Sequence, residues 1–354
     1  MARMKAVLIR RQQPAGPVAP EVDYVEDWPG PLEPQPGEIR VRAVASALNH
    51  MDLWTGMGIP GVEISYPHIG GVDGCGVVDA VGSGVDEGWL GRHVVHNAAV
   101  EIRRPETPGA PSARNAAPEY HLIGEHSHGT HREYWCVPVA NAVDIGDADP
   151  VGAAAIGLTA LTAWSMMLTK GDLRAGQTVQ ITGIGGGVAT AALSIARWLG
   201  CRIAVTSRSE EKLERARGLG AELCVVDDGG DWSREVRAWT ARRGVDMVVD
   251  TIGGHILKPA LRALTRGGAF VTAGTTAAPH AQVELNRVFW NQLRILGSTM
   301  GSNDEFREVM ALYCAGHLSP QIDCVLPAER ARQAWERLEA QEQMGKIVLD
   351  WTGG

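Results

Sequence analysis

Basic residues are in the minority in this chain. Thirty-three Lys and Arg stand against 41 Asp and Glu, a net charge of −8. That balance lacks the basic face a nucleic-acid partner requires. No apolar run is read as reaching the roughly 20 residues that span a bilayer. Met1-Ala2-Arg3-Met4-Lys5 leads directly into a strand-like stretch, with no apolar signal-peptide core. The six cysteines are scattered without a C-x-x-C pair, which excludes a sequence-local redox or metal motif and fits reduced thiols in a cytoplasmic protein. Phenylalanine is scarce, three against eleven tryptophans, an imbalance read only as packing. There is no internal repeat.

At 354 residues the chain is long for a single core, and two domains are expected. Up to about residue 150 the texture is β-rich. Strand-like runs at Lys5–Arg10, Glu38–Ala47, Gly74–Val81 and His93–Asn97 are broken by Gly, Pro and Asp. Residues 98–118, rich in Pro and Ala and without periodicity, read as a long loop. A helical run from Val151 to Leu168 follows. Apolar strands and amphipathic helices then alternate from Thr178 to Ala273, the pattern of a parallel sheet covered on both faces. Two further helices (Asn303–Ala315, Ala328–Gln341) and a strand (Lys346–Leu349) return to mixed texture and most simply rejoin the first domain. The fold class is therefore α/β.

One turn in the second domain carries chemistry. Gly183-Ile184-Gly185-Gly186-Gly187-Val188 joins a strand to a helix. Small residues let backbone approach a pyrophosphate, and the first free N–H groups of the helix face the anion along its dipole. A glycine triplet alone is a conformational signal; its place between strand and helix makes it a dinucleotide site. Gly183, Gly185, Gly186, Gly187 and Val188 are accordingly assigned to the cofactor. About 20 residues on, a carboxylate would bind the ribose 2′-hydroxyl of NAD. Ser207-Arg208 stands there instead, with Lys212 a turn further. An absent acid removes repulsion of a 2′-phosphate, and the guanidinium offers it a bidentate donor. NADPH is expected over NADH, the alternative being that Arg208 and Lys212 are a solvated pair.

With these features the chain resembles the medium-chain dehydrogenase/reductase superfamily, over nearly its whole length and in order. The resemblance rests on Asn49-His-Met-Asp52, Pro67-His-Ile-Gly-Gly-Val-Asp-Gly-Cys-Gly-Val-Val78, Gly157-Leu-Thr-Ala160 and the glycine turn. It continues through Glu211–Ala221, Asp250-Thr-Ile-Gly253, Gly297-Ser-Thr-Met-Gly301 and Gly345-Lys-Ile-Val-Leu349. It implies a GroES-like β-rich catalytic domain from both chain ends (1–150 and 302–354) and a Rossmann doubly wound parallel-sheet domain between them (151–301). It also implies a homodimer or higher oligomer, joined through Rossmann-sheet edges.

The superfamily divides over zinc. Its zinc-dependent members use a thiolate where this chain has Asn49, a histidine where it has Val72, and commonly a carboxylate in the Asp73 slot. A further ligand comes from the region matching Ala153–Gly157, which is apolar here. Asn and Val cannot supply the Cys/His set zinc prefers. Met51 takes the place of the proton-relaying hydroxyl, and 98–118 has no cysteines for a structural-zinc lobe. No zinc is expected. The crowded histidines His121, His126, His128 and His131, with His93 and His96 nearby, keep a relocated metal site open as an alternative.

What the resemblance then implies is the zinc-free quinone oxidoreductase and enoyl reductase branch, an oxidoreductase delivering hydride to an activated C=C or a quinone. Asn49, His50 and Asp52 are the candidate catalytic residues. Asn49 is expected beside the nicotinamide and His50 as proton donor, phosphate contact or helix-start histidine, while Asp52 is expected to orient backbone more than to react. Thr159, Asp250 and Thr251 are expected on the nicotinamide side of the cleft, and Gly274 and Lys346 on its interdomain wall. Trp54, Met57 and Trp290 are expected near the substrate. Two other readings remain: an NADP-dependent alcohol dehydrogenase with relocated ligands, and a catalytically silent cofactor-binding protein.

Overall fold

The computed structural model describes residues 3–103 and 119–353. Strands Thr178–Ile181, Arg202–Ser207 and Leu223–Val226 lie on one side of a six-stranded sheet, and Val245–Asp250, Leu264–Thr272 and Arg294–Gly297 on the other. All pair in parallel. Thr178–Ile181 and Val245–Asp250 are adjacent in the middle, so chain order reverses there, and the region beyond their carboxyl ends is where such sheets bind ligands. The inner strands are rich in buried apolar residues because helices cover them. Thr178–Ile181 is buried at every position.

A seven-stranded sheet forms the second layer system. Its order is Ile322–Pro327, Lys346–Asp350, Glu38–Ala47, Asp73–Val81, His93–His96 and Ala142–Asp144, with Tyr134–Pro138 also paired to Glu38–Ala47. The last strand of the chain enters this sheet beside one of the first, Val348 opposite Ala47. That pairing sets Lys346, at its start, next to the Asn49 turn.

Helix Pro150–Trp164, continued by a π-helical turn Ser165–Lys170, packs against Glu38–Ala47, Asp73–Val81 and helix Gly187–Trp198, joining the two halves. Its 21 residues are long and apolar enough to cross a membrane, which corrects the sequence expectation that no run is. Most of that stretch is buried inside the protein, and packing between two layers accounts for its composition. The expected loop over 98–118 is also corrected at its start. Ala99–Arg103 is a strand paired with Glu119–Leu122; residues 104–118 lie outside the described residues. Part of the surplus tryptophan goes inward: Trp135, Trp232 and Trp335 are each at most 3% exposed.

Candidate active site and dinucleotide cleft

Asn49 ends the strand side of a sharp entry into helix His50–Met57 and takes an extended backbone as its N-cap. Its amide Nδ2 donates to Asp73 Oδ2 at 2.8 Å, and its Oδ1 accepts from Lys346 Nζ at 2.5 Å. Lys346 Nζ also donates to Asp73 Oδ2 at 2.9 Å, and Leu158 N donates to Asp73 Oδ1 at 2.8 Å. Three side chains from three distant parts of the sequence thus meet in a buried, charge-paired knot. Lys346 is 4% and Asp73 2% exposed. Gly157 makes room for it: a Cβ there would lie 2.9 Å from Asp73 Oδ1. Val72, beside Asp73, is buried and apolar.

Asp52 bonds backbone on both sides of this turn. It is buried, and its Oδ2 accepts from Asn49 N at 2.8 Å while Oδ1 accepts from Gly71 N at 2.8 Å. His131 Nε2 lies 3.3 Å from Oδ1. Burial would raise the Asp52 carboxyl, but the His131 ring and the two backbone donors outweigh it and hold the group below its usual range. His131 is in turn fixed through Nδ1 to Ser46 Oγ at 2.9 Å, which accepts from Trp351 Nε1 at 2.9 Å. Asp52 therefore supports the Asn49 turn from behind and does not face the cleft. His50 opens the helix with its ring edge-on to Trp54 at 5.4 Å, and burial pushes its pKa down, so it is neutral at pH 7.

The other histidines separate. His121 pairs with His126 (5.4 Å), His68 with His128 (5.2 Å), His131 with Trp335 (5.2 Å) and His96 with Trp135 (5.9 Å). Burial pushes His96 and His128 down to about 4. Among the described residues no three His, Cys, Asp or Glu side chains converge on a point that could hold a metal.

The glycine turn has the geometry its sequence requires. Gly183 and Gly185 have φ of 62° and 132°, conformations that cost a side chain dearly. Gly186 is the N-cap of helix Gly187–Trp198 and carries no side-chain cap, leaving the first turn's N–H groups to an incoming anion. A Cβ on Gly187 would lie 2.8 Å from Thr159 Cγ2 and 2.9 Å from Lys346 Cδ, so the lysine stem crosses the helix start on its way to Asn49. Val188 is half-buried, and buried Ala189 closes the helix onto the sheet. The turn fits a dinucleotide pyrophosphate. Thr159 turns its methyl to Gly187 and its hydroxyl back to Ile156 O (3.3 Å).

At the next strand end Ser207 is buried and accepts from Ser209 N, which begins the following helix cap. Arg208 Nη2 donates to Gln341 Oε1 at 2.6 Å, and Lys212 Nζ donates to Gln341 O at 2.6 Å. Asp250 corrects its expectation. It is fully buried and accepts from Thr182 Oγ1 (2.7 Å), Gly253 N (3.0 Å) and Ile252 N (3.2 Å), so it braces the loop instead of lining the cleft. Burial raises its pKa. Thr251 and Gly274 are in contact, a Cβ at 274 falling 2.9 Å from Thr251 O. Trp54 and Met57 are half-buried on helix His50–Met57, whereas Trp290 is 72% exposed on helix Leu285–Asn291. Sequence reasoning missed Gln341, because a contact across 133 residues leaves no local pattern. It also missed the Tyr120 OH–Thr299 Oγ1 bond (2.6 Å) between the domains.

A buried polar knot beneath an anion-binding helix start, at the switch point of a parallel sheet, defines a dinucleotide-dependent oxidoreductase. Family models agree: an alcohol dehydrogenase GroES-like domain matches residues 35–147 and a zinc-binding dehydrogenase domain 187–314. A crystal structure described as an NAD-dependent alcohol dehydrogenase is 38% identical, covering 98% of this chain and 99% of its own, with a TM-score of 0.87. The zinc-type alcohol dehydrogenase-like protein YogA of Leptosphaeria maculans is 28% identical over 342 residues, 90% of this chain and 91% of its own. A crotonyl-CoA carboxylase/reductase solved with NADP, 23% identical over 98% of this chain and 95% of its own (TM-score 0.85), shares the fold. The chain belongs to the medium-chain dehydrogenase/reductase superfamily and is an NAD(P)H-dependent oxidoreductase.

Proposed function

We propose that this protein is an NADPH-dependent reductase of an activated C=C, in an α,β-unsaturated carbonyl, or of a quinone, working without catalytic zinc. One observation carries the reading: the ammonium of Lys346 bonds both Asn49 and Asp73, which also bond each other, at the positions where a metal-dependent relative would need ligands. An amide, a valine and a carboxylate already paired to an ammonium do not make a zinc site. The glycine turn would hold the pyrophosphate and Arg208 with Lys212 the 2′-phosphate. When bound, NADPH supplies the hydride; the chain supplies position and field. Lys346 commits two of its three donors to Asn49 and Asp73, and its fixed positive charge stabilises negative charge developing on a substrate carbonyl oxygen. His50, neutral at pH 7, offers an imidazole N–H at the start of the helix.

A second reading, an NADH-linked alcohol dehydrogenase, is favoured by the 38% identical relative. Steady-state assays separate them. NADPH oxidation by an enone or quinone panel, with no NAD(P) reduction by alcohols, supports the reductase. Alcohol oxidation alone, or cofactor binding with no turnover on either panel, rejects it. We also propose a cytoplasmic homodimer. Free cysteines support the first. For the second, edge strand Arg294–Gly297 is flanked by exposed Leu285 (72%), Phe289 (68%) and Trp290 (72%).

A further inference from the structure

Arg208 and Lys212 carry positive charge at the rim of the dinucleotide cleft, yet neither makes an ion pair among the described residues. Both point at one neutral residue of the other domain. Gln341 lies in the turn between helix Ala331–Glu339 and strand Lys346–Asp350. Its side-chain Oε1 takes Arg208 at 2.6 Å and its main-chain oxygen takes Lys212 at 2.6 Å. The turn is fastened at its far end too, Gly345 N donating to Gly185 O within the glycine turn at 2.8 Å. Lys212 lies over that turn as well: a Cβ on Gly185 would be 2.8 Å from its Cδ. Gln341 holds a left-handed backbone (φ 56°) just past helix Ala331–Glu339, a conformation uncommon for a residue with a side chain. Burial lowers the Lys212 pKa and the nearby Arg208 charge adds to this, while the Asp323 carboxylate opposes it from further off.

We propose that Gln341, contributed by the catalytic domain, is a specificity-determining residue of the cofactor site: its two oxygens occupy the donors that a ribose 2′-phosphate takes. This rests on the assignment of Arg208 and Lys212 to that phosphate. NADPH must displace the Gln341 amide from Arg208 before the phosphate is seated, whereas NADH, with a 2′-hydroxyl, leaves the contact intact. The residue therefore sets how strongly the protein prefers one dinucleotide over the other.

Fluorescence titration of the full-length protein with NADPH and NADH tests this. Gln341→Ala frees Arg208 and is expected to tighten NADPH binding about three- to tenfold, with NADH unchanged. Gln341→Glu pairs Arg208 with a carboxylate and repels the phosphate, and is expected to weaken NADPH at least tenfold while sparing NADH. Equal changes for both dinucleotides, or none, overturn the proposal. Arg208→Ala separates the two levels. If it leaves the NADPH-to-NADH ratio unaltered, the phosphate assignment itself falls. If it alters the ratio and the Gln341 variants do not, only the role of Gln341 is lost.

Discussion

Lys346 is 4% exposed, and the carboxylate that neutralises it accepts two further donors, from Asn49 and Leu158. Removing one partner of such a pair leaves a buried charge uncompensated. Lys346→Met is expected to cost about 3–5 kcal/mol of stability in urea unfolding. It should lower kcat/KM by about 10²–10³ through loss of the fixed charge. The double variant Lys346→Met, Asp73→Asn restores neutrality and should recover much of the stability but none of the rate. Recovery of both would make the lysine structural only. His96 gives a separate check. Burial holds it near 4 against 6.5 in the unfolded chain. The unfolded chain thus binds more protons between those values, so stability is present above pH 6.5 and lost as pH falls towards 4. Wild type should lose about 2–3 kcal/mol more than His96→Met between pH 7 and 4.5, read from unfolding midpoints.

Helix Gly187–Trp198 is the element on which cofactor and catalytic residues meet. Gly187→Ala would push a methyl against Thr159 and the Lys346 stem at under 3 Å. The expected result is a KM for the dinucleotide raised about tenfold with the fold intact, since the clash is local. Unchanged binding would mean that Lys346 does not cross the helix start. Elements of this kind were legible in the sequence because local chemistry specifies them. Leu223–Val226 is a bare apolar run, and Glu38–Ala47 lies between turn residues. Strand Arg294–Gly297 was not, as it is four residues long at an exposed sheet edge and carries no apolar run. Helix His50–Met57 entered the reading only through its first residue, because it is short and contains a glycine. The site divides the same way. The glycine turn and the missing acid at Ser207 could be read directly. The ion pair joining Asp73 and Lys346 spans 273 residues and needs the return of the last strand to form. Asp250 carried the right residue type for the cleft wall, but burial makes it a brace.

On the scale of the whole molecule, the two larger sheets are joined through one buried helix, and exposed apolar side chains flank edge strand Arg294–Gly297 of the six-stranded sheet. If that edge pairs with a second copy, Phe289→Glu with Trp290→Glu should halve the mass seen by light scattering while leaving the fold intact. An unchanged mass would place the dimer contact elsewhere or remove it. Between its two sheets the protein holds an ammonium where metal-dependent members of the superfamily would need ligands, and the claim that it reduces without zinc depends on that. The most direct measurement is NADPH oxidation with an α,β-unsaturated ketone before and after exhaustive dialysis against a strong chelator, with metal content read on the same samples. Full activity retained at a negligible zinc-to-protein ratio is the expected result. Activity lost with the metal, and restored by about one equivalent of zinc, would contradict it.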